Sequence, residues 1–352
     1  MKELIISPSQ DGQKLERVLT RYLKNAPVSF LYRMLRRKNI TLNGKKATGK
    51  ERIHAGDAVQ VWFSEETFLK FAGEQPGVHS MPESRKEHAG IHAREMDLEK
   101  SILYEDRHVL IVNKPAGILT QKAVMEDYSL NEYAVDYLLR TGQTDPESLV
   151  FIRPSACNRL DRNTSGVVMI GKTQQGLSVL TELLRERLIH KDYLCLALGK
   201  IDREMMLTGY LAKDHEHNKV EVAQEQLRDG KEIRTRIRPV ESFTDPGGYP
   251  VSLLEIRLFT GRTHQIRAHL AGTGCPIIGD AKYGDRDANR YFRDTYAVRS
   301  QLLHAYSLEF PAQVREPLQE LSGKKITAQP PEVFRRVCRA GEAECQIRKQ
   351  ED

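Results

Sequence analysis

The sequence is poor in the features that mark secreted, membrane-bound or zinc-stapled proteins. Five of its 352 residues are cysteine (Cys157, Cys195, Cys275, Cys338 and Cys345), and no two have the C-x-x-C spacing of a zinc ribbon or redox pair. An odd, scattered set gives no disulfide framework and fits free thiols in a reducing compartment. No run approaches the ~20 apolar residues that a membrane span needs. The segment Met1–Ser7 is too briefly apolar for a signal peptide, and no small-residue cleavage site follows it. A cytoplasmic protein without membrane association is therefore expected. Internal repeats are absent too. So is the regular strand–helix alternation of a parallel α/β sheet, which leaves an α+β body with a largely antiparallel sheet.

What is present is a 39% hydrophobic share, enough for a real core, on a chain long enough for about two domains. The net charge of +6 is unevenly spread. Residues 1–63 hold 13 Lys and Arg against 5 Asp and Glu, an excess of eight that leaves the remainder two charges negative. A basic module on a less charged body suits nucleic-acid binding, although a solvated basic face would show the same excess.

Within that module, Leu15, Val18, Leu19 and Leu23 recur at helical spacing after Asp11-Gly12. A second helix is expected over Ser29–Arg37, with Phe30, Leu31 and Leu35 on one side and Arg33, Arg36, Arg37 and Lys38 on the other. The run Ile40–Lys46 reads as a hairpin turning at Asn43-Gly44, and Gly56-Asp57 turns into a strand over Ala58–Phe63. This pattern resembles the small RNA-binding domain named for a ribosomal small-subunit protein. The resemblance implies backbone contacts to RNA from Arg33, Arg36, Arg37, Lys38 and Lys45, since clustered cations release counterions from phosphate. Residues 66–98 read as a flexible linker, 99–334 as the main domain and 335–352 as a polar tail.

Three runs in the main domain carry polar chemistry. In Asn158–Gly166, Asp161 lies between Arg159 and Arg162 and is followed by Asn163, Thr164 and Ser165, just before a β-branched strand. Cations and hydroxyls would keep such a carboxylate ionised, as a nucleophile or electrostatic group requires. Taken alone, the loop reads more simply as a capped turn with a surface ion pair. The run Thr260–Leu270 spans a strand end and a helix start, where Arg262 could grip an anion. His264 and His269 are five apart, so they do not share a helix face and no metal site is expected. Tyr193 heads an alternating strand, where it could pack in the core or stack on a base.

Together these runs resemble the RluA family of pseudouridine synthases. The likeness extends from about Ile102 to Pro311. It includes Asn113-Lys114-Pro115-Ala116-Gly117, Arg159-Leu160-Asp161 with Thr164-Ser165-Gly166, and Lys191-x-Tyr193. It continues through Gly261–Arg267, Gly279-Asp280 with Tyr283-Gly284, and Leu303-His304-Ala305. It implies a pseudouridine-synthase fold joined to the small α/β RNA-binding domain. It also implies Asp161 as the catalytic aspartate, Tyr193 as the tyrosine against the uracil and Arg262 as the basic partner of Asp161. Asn158, Arg159, Arg162, Thr164, His264, Gln265 and Arg267 are the RNA contacts expected around them. Many members of the family have His where this chain has Asn158, so altered RNA contacts are expected there. No cofactor or metal is expected. Ribosomal large-subunit RNA is the expected substrate, with transfer RNA as the alternative, and a monomer is expected.

One motif points elsewhere. Gly166–Thr173 matches the phosphate-loop pattern G-x-x-x-x-G-K-[ST]. The strand signal Val167–Ile170 lies between the two glycines, where a phosphate loop needs pliant backbone, so an NTPase is not expected. A glycoside hydrolase is a poor match as well. It would want two carboxylates flanking the bond, whereas Asp161 stands among cations.

Overall fold

The computed structural model describes residues 1–7, 10–72, 96–124, 126–214, 219–223 and 230–341. The small N-terminal unit runs β1 (Lys2–Ile5), α1 (Leu15–Tyr22), α2 (Val28–Arg36), β2 (Ile40–Leu42), β3 (Lys45–Lys46), β4 (Ala58–Val61) and α3 (Glu65–Ala72). Its strands form an antiparallel sheet in the order β1-β4-β2-β3. Asn43 and Gly44 both have positive φ (51° and 73°), the backbone that a two-residue hairpin requires. Leu15, Val18, Leu19 and Leu23 are fully buried against Leu31 and Leu35, so the helical spacing of both segments is satisfied by one shared core.

The expected linker begins too early. Phe68 and Ala72 of α3 are buried in the small unit's core, while Met96 and Leu98 are buried in the core of the large one. Residues 73–95 of that stretch lie outside the described residues.

The large unit continues with β5 (Ile102–Glu105), β6 (Val109–Lys114), α4 (Leu130–Arg140), α5 (Pro146–Phe151), β7 (Ser155–Ala156), β8 (Ser165–Gly171), α6 (Gln174–Arg185) and β9 (His190–Leu198). Then come β10 (Met205–Asp214), β11 (Lys219–Ala223), β12 (Lys231–Thr244), β13 (Pro250–Leu258), α7 (Gln265–Gly272), α8 (Arg286–Tyr296), β14 (Leu303–Glu309), β15 (Lys325–Thr327) and α9 (Glu332–Ala340). Eleven strands make one sheet with the main order β11-β10-β12-β13-β9-β14-β8-β6-β5. Every pairing in it is antiparallel except β14 with β8. The expected α+β class with a largely antiparallel mixed sheet is what forms. The polar stretch Lys213–Arg234 belongs in good part to β10, β11 and β12.

The central strands are apolar on both faces because both are covered. Leu110, Val112, Val168 and Ile170 pack with α4 and α7, whereas Val109, Ile111, Val167 and Met169 pack with α6. Each such side chain contributes about 1.5–3 kcal/mol on burial. The expected polar tail starts inside α9, where Phe334, Val337 and Cys338 are buried against α8. Charged residues at the intervening positions hid that stripe in a reading by composition. Residues 342–352 lie outside the described residues.

The two units are docked. Ile152 and Leu177 of the large unit pack against the small unit's core, and the Gln175 amide donates to Asp11 Oδ2 at 2.6 Å. The phosphate-loop match is strand β8, fully buried, and Lys172 pairs with Glu105 at 2.7 Å.

At the single parallel pairing, Gly166 (φ 119°) lies opposite Ala305, and a Cβ on it would stand 2.2 Å from the Ala305 carbonyl oxygen. Gly166→Ala should therefore strain β8 where it leaves the Asp161 loop and lower stability by roughly 2 kcal/mol or more. Urea unfolding checks this, and an unchanged midpoint would contradict the account of that contact.

Candidate active site

Asp161 sits in the loop between β7 and β8, and the loop is held along its whole length. Thr120 Oγ1 donates to the Leu160 carbonyl at 2.8 Å and accepts from its N–H at 3.1 Å. Leu160 is buried in the main core. On the other side, the Arg162 carbonyl accepts from Gly117 N at 2.9 Å and from Lys114 Nζ at 3.2 Å. Lys114 is fully buried, and its amine also donates to the carbonyls of Ile118 and Pro115 at 2.8 and 3.0 Å. Burial lowers its pKa to about 7, and the Asp161 charge works in the opposite direction. Three carbonyls around one amine match its three donors when protonated. The Asn113–Gly117 run thus acts as a brace beneath the Asp161 loop.

The carboxylate of Asp161 is 29% exposed, and its Oδ2 accepts from Arg267 Nη1 at 2.9 Å. Arg267 lies in the first turn of α7 and is nearly buried. It makes a bidentate grip on Asp280, Nε to Oδ2 at 2.7 Å and Nη2 to Oδ1 at 2.8 Å. Asp280 is completely buried and also accepts from the N–H groups of Lys282 and Tyr283. Burial acts against the charge on both partners, but their pairing outweighs it. The Arg267 pKa is raised and that of Asp280 lowered. The Tyr283 ring lies 5.2 Å from the Arg267 guanidinium and closes it in.

His264, in the left-handed region (φ 56°) just before α7, places Nε2 3.7 Å from Asp161 Oδ2 and pairs Nδ1 with the Tyr283 hydroxyl at 3.0 Å. Burial lowers its pKa although Asp161 opposes the shift, so the ring is neutral near pH 7. Tyr193 is buried beside the same cavity. Burial and the Asp161 charge both push its phenol well above the ordinary range, so it stays protonated.

The cavity is lined by Asp161, Tyr193, Leu258, His264, Ile266 and Leu303, with Arg159 and Arg262 also on its wall. Among the described residues Asp161 is the one carboxylate on that wall. The slot is part polar and part apolar, and its anion is held by the Arg267 guanidinium.

Several residues stand elsewhere than the sequence suggested. Arg262 is exposed at the rim, its backbone N–H bound to Gln265 Oε1 at 3.1 Å, and the ion pair with Asp161 comes from Arg267. The reason is the helix start. A helix from Thr263 would bring Arg262 to its N-terminus, but α7 begins at Gln265 after the left-handed turn at His264, so Arg267 faces inward. Gln265 and Thr164 are buried, with side chains committed to protein partners: Gln265 to Thr260, Arg234 and Thr235, Thr164 to Gln301. Arg267 is likewise occupied by the two carboxylates. All three also line the cavity. The Asn158 amide donates to the Val167 carbonyl at 3.0 Å and accepts from Met169 N at 2.8 Å, pinning the loop to β8. Arg159 remains exposed on the rim, and Arg162 is exposed 3.9 Å from Asp127. Asp280 and Lys114 stood within recognised runs but had no role assigned to them. A buried charged side chain gives no periodic signal of its own.

Comparison with known proteins agrees with this geometry. The family model described as RNA pseudouridylate synthase matches residues 108–272. The ribosomal large subunit pseudouridine synthase C of Vibrio cholerae is 31% identical over 311 residues, 87% of this chain and 87% of that protein. The protein of the same name from Escherichia coli strain K12 is 31% identical over 323 residues, 88% of each chain. The solved structure of Human RNA Pseudouridylate Synthase Domain Containing 4 covers 70% of this chain and 94% of its own, with a TM-score of 0.54 at 20% identity, a likeness of fold. A relative above 30% identity along nearly the whole chain, and a family match spanning β6, the Asp161 loop and α7, lead to one conclusion: the chain belongs to the RNA pseudouridylate synthases and is an isomerase acting on RNA.

Proposed function

We propose that this chain converts uridine to pseudouridine in large-subunit ribosomal RNA, with Asp161 as the group that acts on the sugar. The observation that carries the reading is the Asp161 carboxylate, partly open to the cavity and held by Arg267 at 2.9 Å. The substrate class rests on the relatives that share this chain's length and sequence.

The steps follow from the residues present. A uridine inside a stacked helix cannot reach Asp161, so the nucleotide flips out at a cost of a few kcal/mol. Its base packs between the Tyr193 ring and the apolar wall of Leu258, Ile266 and Leu303. The bond between N1 and C1′ breaks, and the electron pair leaves with the uracil. Asp161 either adds to C1′ or takes a proton from C2′, and either route needs an ionised carboxylate. Arg267 Nη1 holds one oxygen of that carboxylate at 2.9 Å and leaves the other free. The uracil then turns and C5 bonds to C1′; the Asp161–C1′ bond breaks on the first route, or Asp161 returns the proton to C2′ on the second, and the proton that C5 loses is balanced by one gained at N1. Tyr193, kept neutral, packs against the loosened base without competing as an anion. Arg159 on the rim and the exposed Arg162 suit the flanking phosphates. Arg33, Arg36, Arg37, Lys38 and Lys45 are all exposed on the small unit and suit backbone contacts farther along the RNA.

Asp161→Asn should reduce pseudouridine formation on transcribed large-subunit ribosomal RNA by on the order of 10⁴-fold or more while RNA binding persists. Nucleoside chromatography after digestion reads the outcome, and conversion near the wild-type rate would sink the assignment. Arg262 and Arg267 should separate cleanly. Arg267→Met leaves Asp280 buried without its partner, so stability should fall by about 3–5 kcal/mol and turnover should vanish. Arg262→Ala, at the rim, should weaken RNA binding yet keep the single-turnover rate at saturating RNA within about threefold of wild type. The reverse pattern would restore Arg262 as the partner of Asp161.

A further inference from the structure

Where the two units meet, they enclose a cleft that the uridine chemistry does not use. It consists of two adjoining cavities of about 940 and 550 Å³, which share Arg17, Arg21, Gln174 and Ser178 on their walls. One wall is α1 of the small unit, and the other is α6, from Gln174 to Arg185. Across both cavities the lining includes seven Lys and Arg against four Asp and Glu.

Three of those acids are already engaged. Asp11 accepts from Gln175 and from Ala55 N, Glu16 accepts from the Tyr32 hydroxyl at 2.6 Å, and Glu182 pairs with Arg315. The cations of α1 are not engaged in this way. Arg17 and Arg21 stand one helical turn apart on the same face, and among the described residues neither pairs with a carboxylate. Arg21 is half-buried, and burial, with a smaller push from Arg17, lowers its pKa. The N-terminal turn of α6 adds its own partial positive charge at the opposite wall. Apolar contacts and the Gln175–Asp11 bond hold this arrangement together although its charges repel. An anion in the cleft would relieve that repulsion.

We propose that this interdomain cleft is a second phosphate-binding surface that grips the backbone of the RNA substrate at a distance from the flipped uridine. It is separate from the α2 face, because Arg33, Arg36 and Arg37 are not on its walls. It is also remote from Asp161. The Asp161 loop enters β8 at one end and α6 leaves from the other, and seven residues of strand span roughly 20 Å at ~3.3 Å each. An RNA that fills both places must extend well past the nucleotides beside the target. The cleft would thus favour a long, structured RNA over a short hairpin. The inference rests on the reading of this chain as an enzyme of ribosomal RNA.

The test uses the full chain and two probes, transcribed large-subunit ribosomal RNA and a short uridine-containing hairpin. Binding is measured across a series of salt concentrations for wild type, Arg17→Ala/Arg21→Ala and Arg17→Lys/Arg21→Lys. The Ala pair should bind the long RNA about tenfold or more weakly, with a salt slope shallower by about 1.5–2, the value for two lost phosphate contacts. Hairpin binding should not change, and the Lys pair should retain most of the long-RNA affinity. The proposal is overturned if the Ala pair binds the long RNA with wild-type affinity and slope. It is equally overturned if hairpin binding falls as far, or if the Lys pair is as weak as the Ala pair. A wild-type chain that binds the long RNA but forms no pseudouridine would defeat the functional reading, while the slope comparison would still decide the cleft.

Discussion

One buried guanidinium holds the site together. Arg267 stands between two carboxylates, one sealed in the protein and one open to the cavity. An isolated charge in that place would cost several kcal/mol, and an isolated Asp280 would cost as much. Each offsets the other, and the hydrogen bonds from Lys282 and Tyr283 satisfy what remains of Asp280. The guanidinium is planar and rigid, so two of its nitrogens fixed on Asp280 determine where the third points. It points at Asp161. The position of the Asp161 carboxylate is therefore tied to the buried pair of Arg267 and Asp280.

The rest of the large unit serves that alignment. The strand pair β6 and β8 is apolar on both faces and carries the loop at its edge. Lys114 and Thr120 tie the loop backbone from one side, and Asn158 ties it to β8 from the other. The single parallel contact at Gly166 lets β14 approach where the loop enters the strand. With so many backbone ties, the loop cannot move without breaking buried hydrogen bonds. Such ties hold the Asp161 carboxylate in one place beside the cavity.

Much of this could be read from the residues, and the misses share a cause. Alternation and helical spacing showed β8, β9, α1 and α2, because apolar periodicity directly reflects a buried face. The Asn43-Gly44 turn was legible because few other pairs accept two positive φ angles. The ordered runs pointed to Asp161 and Tyr193, and both line one cavity. Arg262 was misplaced because polar residues carry no periodicity, and a left-handed His264 shifted the helix start by two residues. Asn158 looked like a substrate contact from its place beside Asp161, and its amide also holds the backbone of β8. The helices α3 and α9 were hidden for a different reason: short amphipathic helices rich in charge look like linker and tail when composition alone is weighed.

The most direct measurement of this account takes Asp280→Asn, which keeps the shape of the buried side chain but removes its charge. A crystal structure of the variant would report the contact between Arg267 and Asp161, and single-turnover kinetics on ribosomal RNA would report the chemistry. If Asp280 sets the direction of Arg267, the 2.9 Å contact should lengthen or turn, and the rate at saturating RNA should fall about 10–100-fold with little change in RNA affinity. An unaltered contact together with a wild-type rate would show that Asp161 is positioned by something other than this pair of buried charges.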